Sequence, residues 1–214
     1  METIASLSLI PTGIEAETPV IGIPGFLCTF PEDLTPFITH EVWIDYNFPF
    51  GRYAISPCWS AWGLHLKLCL SRMGIQNQQI TFVTESMGLP MALIAQVPSS
   101  KIIVRKVPLM GQQRQLACEI IQGVLSGFDE RYENLRQRSA HLPADKIAAR
   151  LLYEYALQSN IDEQRIRQFK GDMLILPYES DTLHPEAALE YLEQTAMKCR
   201  RISLEEVPSE CRHY

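Results

Sequence analysis

The sequence has no cysteine pair at the C-x-x-C spacing of zinc sites, although it contains six cysteines in 214 residues. Scattered cysteines are typical of reduced, mostly buried thiols, and they support neither a structural zinc site nor a disulfide framework. Positive charge is not in excess either, since the formal net charge is -6 at pH 7. These features argue against bulk electrostatic binding to nucleic acid or to an anionic membrane surface.

Long hydrophobic runs are also missing. No apolar stretch approaches the ~20 residues that a membrane-spanning helix needs, and residues 1–10 contain no basic region of the kind that opens a signal peptide. We therefore expect a cytoplasmic protein without membrane insertion. There is no internal repeat or low-complexity tract, and 46% hydrophobic residues can bury a sizeable core. The sequence predicts a single domain over residues 1–214.

The most informative segment is an apolar, β-branched run over residues 79–85 that ends abruptly at Ser86 and Gly88. Because a helix-forming segment follows, the pattern predicts a strand, a sharp turn that carries a serine, and a helix. Such a turn lifts the serine hydroxyl clear of the sheet, while the helix N-terminus offers backbone N–H groups to a developing oxyanion. Ser86 is therefore a candidate nucleophile, and its alternative role is that of a helix N-cap.

The rest of the chain alternates between strand and helix patterns. Further strands are predicted over residues 3–10, 18–23, 40–46, 101–107, 172–177 and 201–207, and helices over residues 59–72, 89–97 and 185–197. The charged, helix-favouring residues 112–169 are predicted to form a helical lid insertion. This alternation predicts the α/β class, with a mainly parallel sheet that carries helices on both faces.

Two more candidate catalytic residues follow the carboxyl ends of predicted strands, where parallel sheets bind their ligands. Asp181 follows the strand predicted to end at residue 177, and His213 follows the last one. A serine becomes nucleophilic when an imidazole accepts its proton, and a carboxylate holds that imidazole in the required tautomer. Asp181 is alternatively a helix cap, with Glu179 as the reserve acid. His184 is the rival base, although its place beside Asp181 is more typical of a loop or cap residue.

Four short segments are similar to motifs of one known superfamily. Residues 84–88, Thr-Glu-Ser-Met-Gly, resemble the G-x-S-x-G nucleophile elbow of the α/β-hydrolases, with threonine in place of the first glycine. Residues 23–26 look like the oxyanion loop of that superfamily, with proline where histidine is usual. Residues 178–181 look like its acid turn and residues 211–213 like its histidine loop. As an order of strands and helices, the resemblance extends over essentially the whole chain.

The resemblance implies a serine hydrolase that needs neither a cofactor nor a metal. By position in these motifs, Ser86 is the nucleophile, His213 is the general base and then the acid, and Asp181 is the orienting carboxylate. The backbone N–H groups of Phe26 and Met87 are the implied oxyanion donors.

Apolar and aromatic residues around the predicted site favour an acyl or aromatic substrate over a sugar or a phosphate. The candidate substrate contacts are Phe26, Phe30, Trp59 and Trp62. We therefore expect cleavage of a carboxylic ester or thioester through an acyl-serine intermediate. Carrier-bound acyl chains, such as a pimeloyl-carrier methyl ester, are a substrate class that family analogy alone suggests. Two alternatives stay open: a non-catalytic hydrolase-fold protein that binds a ligand or a partner, and an acyltransferase that excludes water.

Overall fold

The computed structural model describes residues 7–25, 30–44, 59–75, 78–96, 100–107, 163–179 and 184–211, with only the backbone described at residues 59–61. Within these residues the strands are β1 Leu7–Pro11, β2 Val20–Ile23, β3 His40–Ile44, β4 Thr81–Glu85, β5 Lys101–Lys106, β6 Met173–Ile175 and β7 Cys199–Arg201. The α-helices are α1 Trp59–Arg72, α2 Gly88–Ala95, α3 Glu163–Gln168, α4 Glu186–Thr195 and α5 Val207–Cys211. Short 3-10 helices cover Thr35–Phe37 and Leu204–Glu206.

The strands form one seven-stranded sheet in the order β1-β3-β2-β4-β5-β6-β7. β1 pairs antiparallel with β3, and the other five pairs of neighbours are parallel. The predicted α/β class with a mainly parallel sheet is thus confirmed. Because β2, β4, β5 and β6 run in the same direction, the loops that follow them emerge at one edge of the sheet.

The central strands are buried on both faces, and β4 is buried along its whole length. Alternate side chains enter two separate hydrophobic clusters, one for each face of the sheet. Phe82 packs in the cluster that contains residues of α1 and α2, whereas Val83 packs in the cluster that contains Val207 of α5. Burial on both sides explains why β4, Thr-Phe-Val-Thr-Glu, shows no regular alternation of apolar and polar residues in the sequence.

Helix α1 has the bounds predicted from the sequence. It places Trp62, Leu66 and Leu70 in the core, which accounts for the helical spacing of these residues. Gly74 follows with a φ of 73°, a backbone conformation that favours glycine at a helix C-terminus. The Ile75 N–H donates to the Leu70 carbonyl at 3.0 Å and completes this end of the helix.

The predicted last strand over residues 201–207 is wrong in its position. β7 ends at Arg201, and the chain continues into a 3-10 helix and α5. The physical reason is a capping box, in which the Ser203 side chain accepts the Glu206 N–H and the Glu206 carboxylate accepts the Ser203 N–H at 2.7 Å. Pro208 lies in the first turn of α5, where a proline is tolerated. These local signals outweigh the strand preference of the apolar residues nearby.

The predicted helical lid over residues 112–169 lies almost entirely outside the described residues, which include only residues 163–169 of it. Six of these residues form α3. The lid and the single-domain organisation therefore stay predictions. Among the described helices, none has both the length and the apolar character that crossing a membrane requires.

Candidate active site

Ser86 lies in a sharp turn directly after β4. Its φ is 47°, and no other described non-glycine residue has a positive φ. Such a conformation costs an L-residue roughly 1–2 kcal/mol, so the surrounding contacts must hold it in place. The Ser86 N–H donates to the Lys106 carbonyl at 2.8 Å, and the Ser86 carbonyl accepts the Leu89 N–H at 3.2 Å. The serine is thus fixed between β5 and the start of α2, in the strand–turn–helix arrangement that the sequence predicts.

Gly88 brings this turn against the end of β2. A Cβ atom at this position would lie 2.6 Å from the Ile23 carbonyl oxygen and 3.1 Å from Ile23 Cγ2. These distances are too short for any side chain, so a larger residue would push the turn away from β2. Glycine at position 88 therefore keeps the serine and the start of α2 close to residues 24–25, which follow β2.

Thr84 occupies the place of the first glycine in the G-x-S-x-G pattern. Its side chain is fully buried, and its hydroxyl donates to the Ile103 carbonyl at 3.3 Å. A β-branched residue is accommodated here because position 84 is still part of β4, where such side chains pack well. The departure from the family pattern therefore does not disturb the turn at Ser86.

His184 supplies an imidazole to the candidate nucleophile. Its Nε2 atom lies 2.8 Å from Ser86 Oγ. In the neutral tautomer that carries its proton on Nδ1, Nε2 accepts the serine hydroxyl proton, which is the arrangement of a general base. From the sequence alone, His184 is predicted only as the rival base. It follows the carboxyl end of the same predicted strand as Asp181, and this position is the signal in the sequence that identifies it as a candidate base.

Several predicted site residues lie outside the described part of the chain. They are Phe26, Asp181 and His213, together with the side chain of Trp59. Met87 is described: it is buried and is the N-cap residue of α2. The first N–H groups of a helix have no acceptor within the helix, as an oxyanion donor requires. The predicted roles of all these residues stay predictions.

Phe30 and Trp62, two predicted substrate contacts, are both buried in the core. Trp62 packs in the cluster that contains α1 and α2, and Phe30 packs in the cluster on the other face of the sheet. The exposed fraction is 1% for Trp62 and 7% for Phe30. The described structure gives both side chains a packing role, on opposite faces of the sheet, and their predicted role as substrate contacts stays a prediction.

An acidic side chain precedes the candidate nucleophile in the chain. Glu85, which precedes Ser86, is buried, and burial raises the pKa of its carboxyl group while the charges of Lys106 and Arg105 oppose that shift. Arg105 Nε lies 3.7 Å from Glu85 Oε1, and Arg105 Nη1 lies 2.5 Å from Asp33 Oδ1. Arg105 therefore connects the ends of β4 and β5 to the segment that follows residues 26–29.

The arrangement combines a strained serine, an imidazole in contact with its hydroxyl, and a helix N-terminus. These are the parts that acyl transfer through a serine requires. Metal ligands are not assembled in the described residues, where no group of three or more His, Cys, Asp or Glu side chains could hold an ion.

The positive φ of Ser86 leads to a prediction about stability. Ser86→Ala and Ser86→Gly both remove the hydroxyl, but only glycine adopts this conformation without strain. We expect the free energy of unfolding of Ser86→Gly to exceed that of Ser86→Ala by about 1 kcal/mol. Urea denaturation of the two variants measures this difference. A more stable alanine variant would show that the turn relaxes and is not strained.

No protein-family model and no curated protein matches the sequence. Solved structures do match over nearly the whole chain. An esterase from Exiguobacterium antarcticum is 17% identical, with a TM-score of 0.66 over 94% of this chain and 86% of its own. An alpha/beta hydrolase enzyme from a Medee basin deep-sea metagenome library is 15% identical, with a TM-score of 0.61 over 93% and 85%. A hydrolase from Oleispira antarctica is 12% identical, with a TM-score of 0.59 over 96% and 90%.

These similarities show that the chain has the α/β-hydrolase fold. The predicted resemblance to that superfamily is confirmed at the level of the fold, and the similar structures named above are esterases and hydrolases.

Proposed function

We propose that the protein is a serine hydrolase that cleaves a carboxylic ester or thioester through an acyl-serine intermediate. The observation that carries this proposal is the 2.8 Å contact between Ser86 Oγ and His184 Nε2 at a strained strand–helix turn. A positive φ is costly at a serine, and the residues that hold it in place also present its hydroxyl to an imidazole.

In the first half of the proposed reaction, Ser86 Oγ attacks the acyl carbon while His184 Nε2 accepts the hydroxyl proton. The negative charge that forms on the acyl oxygen is stabilised by the N–H groups of Met87, at the start of α2, and of Phe26. When the bond to the leaving group breaks, the imidazolium returns its proton to the departing alcohol or thiol. An acyl-serine ester remains.

In the second half, His184 accepts a proton from water as the water oxygen attacks the acyl-serine carbon. The tetrahedral intermediate collapses, the proton passes to Ser86 Oγ, and the carboxylic acid leaves. Asp181 is the proposed carboxylate that holds the imidazole in the required tautomer. This cycle restores the enzyme and uses neither a cofactor nor a metal.

The choice of His184 as the base rests on its contact with Ser86. His213 keeps the position that the family resemblance gives to the base, but it comes only after α5, and the described residues between β7 and the end of α5 contain no histidine. We therefore assign proton transfer to His184 and treat His213 as the alternative that mutagenesis separates.

The proposed substrate is a small-molecule acyl ester or thioester. Carrier-bound acyl chains, including a pimeloyl-carrier methyl ester, remain a finer proposal that rests on family analogy. p-Nitrophenyl esters and acyl thioesters of graded chain length distinguish these substrates. Slow hydrolysis that accelerates only when an alcohol or thiol acceptor is added would favour an acyltransferase instead.

The nucleophile is tested with a fluorophosphonate probe, which forms a covalent adduct with activated serines. We expect one adduct on the wild-type protein, located by peptide mass spectrometry at Ser86, and none on Ser86→Ala. The matched control is Ser209→Ala, which removes an exposed hydroxyl of α5 that donates to the Glu206 carbonyl and should leave labelling unchanged. Equal labelling of the wild type and Ser86→Ala would end the serine hydrolase proposal, as would a wild type that is not labelled.

A further inference from the structure

The hydroxyl of Tyr178 connects two segments that build the candidate active site. Tyr178 follows β6 and is partly buried against the core. Its hydroxyl accepts the Val107 N–H at 3.3 Å and donates to the His184 carbonyl at 3.2 Å. One side chain thus joins the end of β5 to the backbone of the residue whose imidazole contacts Ser86.

Together with the contacts of Ser86, these hydrogen bonds form a closed ring. The Ser86 N–H donates to the Lys106 carbonyl at 2.8 Å, and Val107 is the next residue along the chain. From Val107 the connection passes through the Tyr178 hydroxyl to His184, whose Nε2 lies 2.8 Å from Ser86 Oγ. The backbone of the nucleophile is therefore attached to Lys106, and the backbone of the imidazole residue is attached, through Tyr178, to the adjacent Val107.

The aromatic ring of Tyr178 supports the same residue from a second direction. The rings of Tyr178 and His184 meet edge to face, with centroids 6.3 Å apart and planes at 88°. Because this contact depends on the ring and the connection to Val107 depends on the hydroxyl, Tyr178→Phe separates the two. Phenylalanine keeps the packing and removes only the hydrogen bonds.

We propose that Tyr178 is a positioning residue, whose hydroxyl holds the His184 backbone so that Nε2 stays within hydrogen-bond distance of Ser86 Oγ. The proposal rests on the proposed function and adds a residue that acts through His184. An imidazole carried by a loop depends on its backbone anchors for its orientation. A displacement of about 1 Å in such a group can cost on the order of 100-fold in rate.

Steady-state kinetics on Tyr178→Phe give the first test. We expect kcat for a chromogenic ester to fall about 10- to 100-fold while KM changes by less than about 3-fold, because the orientation of the base affects the chemical step rather than substrate binding. The matched control is Tyr191→Phe, which removes a tyrosine hydroxyl that donates to Glu163 and joins α4 to α3. This control should lower the melting temperature and leave kcat unchanged. Equal kcat values in Tyr178→Phe and the wild type would overturn the proposal.

The second test does not depend on activity. The 15N chemical shift of His184 Nε2 reports whether that atom accepts a hydrogen bond, and Ser86→Ala gives its value without the serine hydroxyl. We expect the Tyr178→Phe shift to move from the wild-type value toward the Ser86→Ala value, and the Tyr191→Phe shift to stay at the wild-type value. A Tyr178→Phe shift equal to that of the wild type would overturn the positioning role. If the wild type hydrolyses no ester but the shift still moves, the proposed function fails and the positioning role stands.

If Tyr178→Phe does not fold, 3,5-difluorotyrosine at position 178 keeps the hydroxyl and makes it more acidic. We then expect kcat to match the wild type at low pH and to fall below it at the higher pH where the fluorinated phenol has lost the proton that it donates to the His184 carbonyl, with KM unchanged. Identical kcat values at every pH for this variant and the wild type would contradict the positioning role.

Discussion

Replacement of His184 with alanine is expected to lower kcat/KM for an ester substrate by about 10³- to 10⁶-fold, since removal of the base from a serine hydrolase removes the activation of the nucleophile. The effect should appear in kcat, because the imidazole acts in the transition state. Labelling of Ser86 by the fluorophosphonate probe should slow in parallel. Stopped-flow and steady-state measurements with a p-nitrophenyl ester provide the rates.

His213→Ala is the matched control for His184→Ala, because it removes the imidazole that the family resemblance places as the base. We expect this variant to keep kcat within about 3-fold of the wild type, because the proposed reaction transfers its protons through His184 and not through His213. The reverse result, with His213→Ala inactive and His184→Ala active, would move proton transfer to His213. It would also mean that the contact between Ser86 and His184 is not used in the reaction.

Gly88→Ala is expected to reduce both stability and activity. The added methyl group would lie 2.6 Å from the Ile23 carbonyl oxygen, so α2 and the turn at Ser86 must shift away from β2. Overpacking of this kind typically costs about 1–3 kcal/mol. Displacement of the serine should lower kcat at least about 100-fold, because the reacting groups must be placed to within a fraction of an ångström. Urea denaturation and steady-state kinetics measure the two losses.

Gly74→Ala separates this effect from the general consequences of replacing a glycine. Gly74 has a φ of 73°, but nothing lies within 4 Å of the position that its Cβ would occupy. We expect this variant to lose about 1 kcal/mol through backbone strain alone and to keep wild-type kcat. If Gly88→Ala instead retains full stability and activity, the close packing of the turn against β2 is not needed for the site.

The sequence was sufficient to predict the parts of the site that depend on local signals. The β-branched and aromatic residues of β4 stop where the chain leaves the buried sheet, and the small Gly88 then allows the turn into α2. The same reasoning gives the bounds of α1, whose buried residues have strict helical spacing. Thr84 departs from the family pattern, but its place inside a buried strand explains why the turn still forms.

The partner of Ser86 could not be predicted in this way. His184 and Ser86 are 98 residues apart, and their contact depends on how the loop after β6 lies against the end of β4. The family resemblance favours His213, because it places the base after the last strand. The Tyr178 hydroxyl is equally invisible in the sequence, since a tyrosine after a buried strand is compatible with simple packing. The position of β7 differs from the prediction for another reason, namely a capping box that begins at Ser203.

The position of His184 on the loop between β6 and α4 affects how this site can evolve. In the proposed reaction His184 is the base and Asp181 is its acid, so the two groups are encoded within four consecutive codons. In an arrangement with the base after the last strand, the acid and the base lie on two separate loops, and each loop can change length without the other. Here any insertion or deletion between residues 181 and 184 alters both groups at once, so selection for activity should hold the length of this one loop fixed, whereas the region after β7 is constrained by its packing against the sheet and not by catalysis.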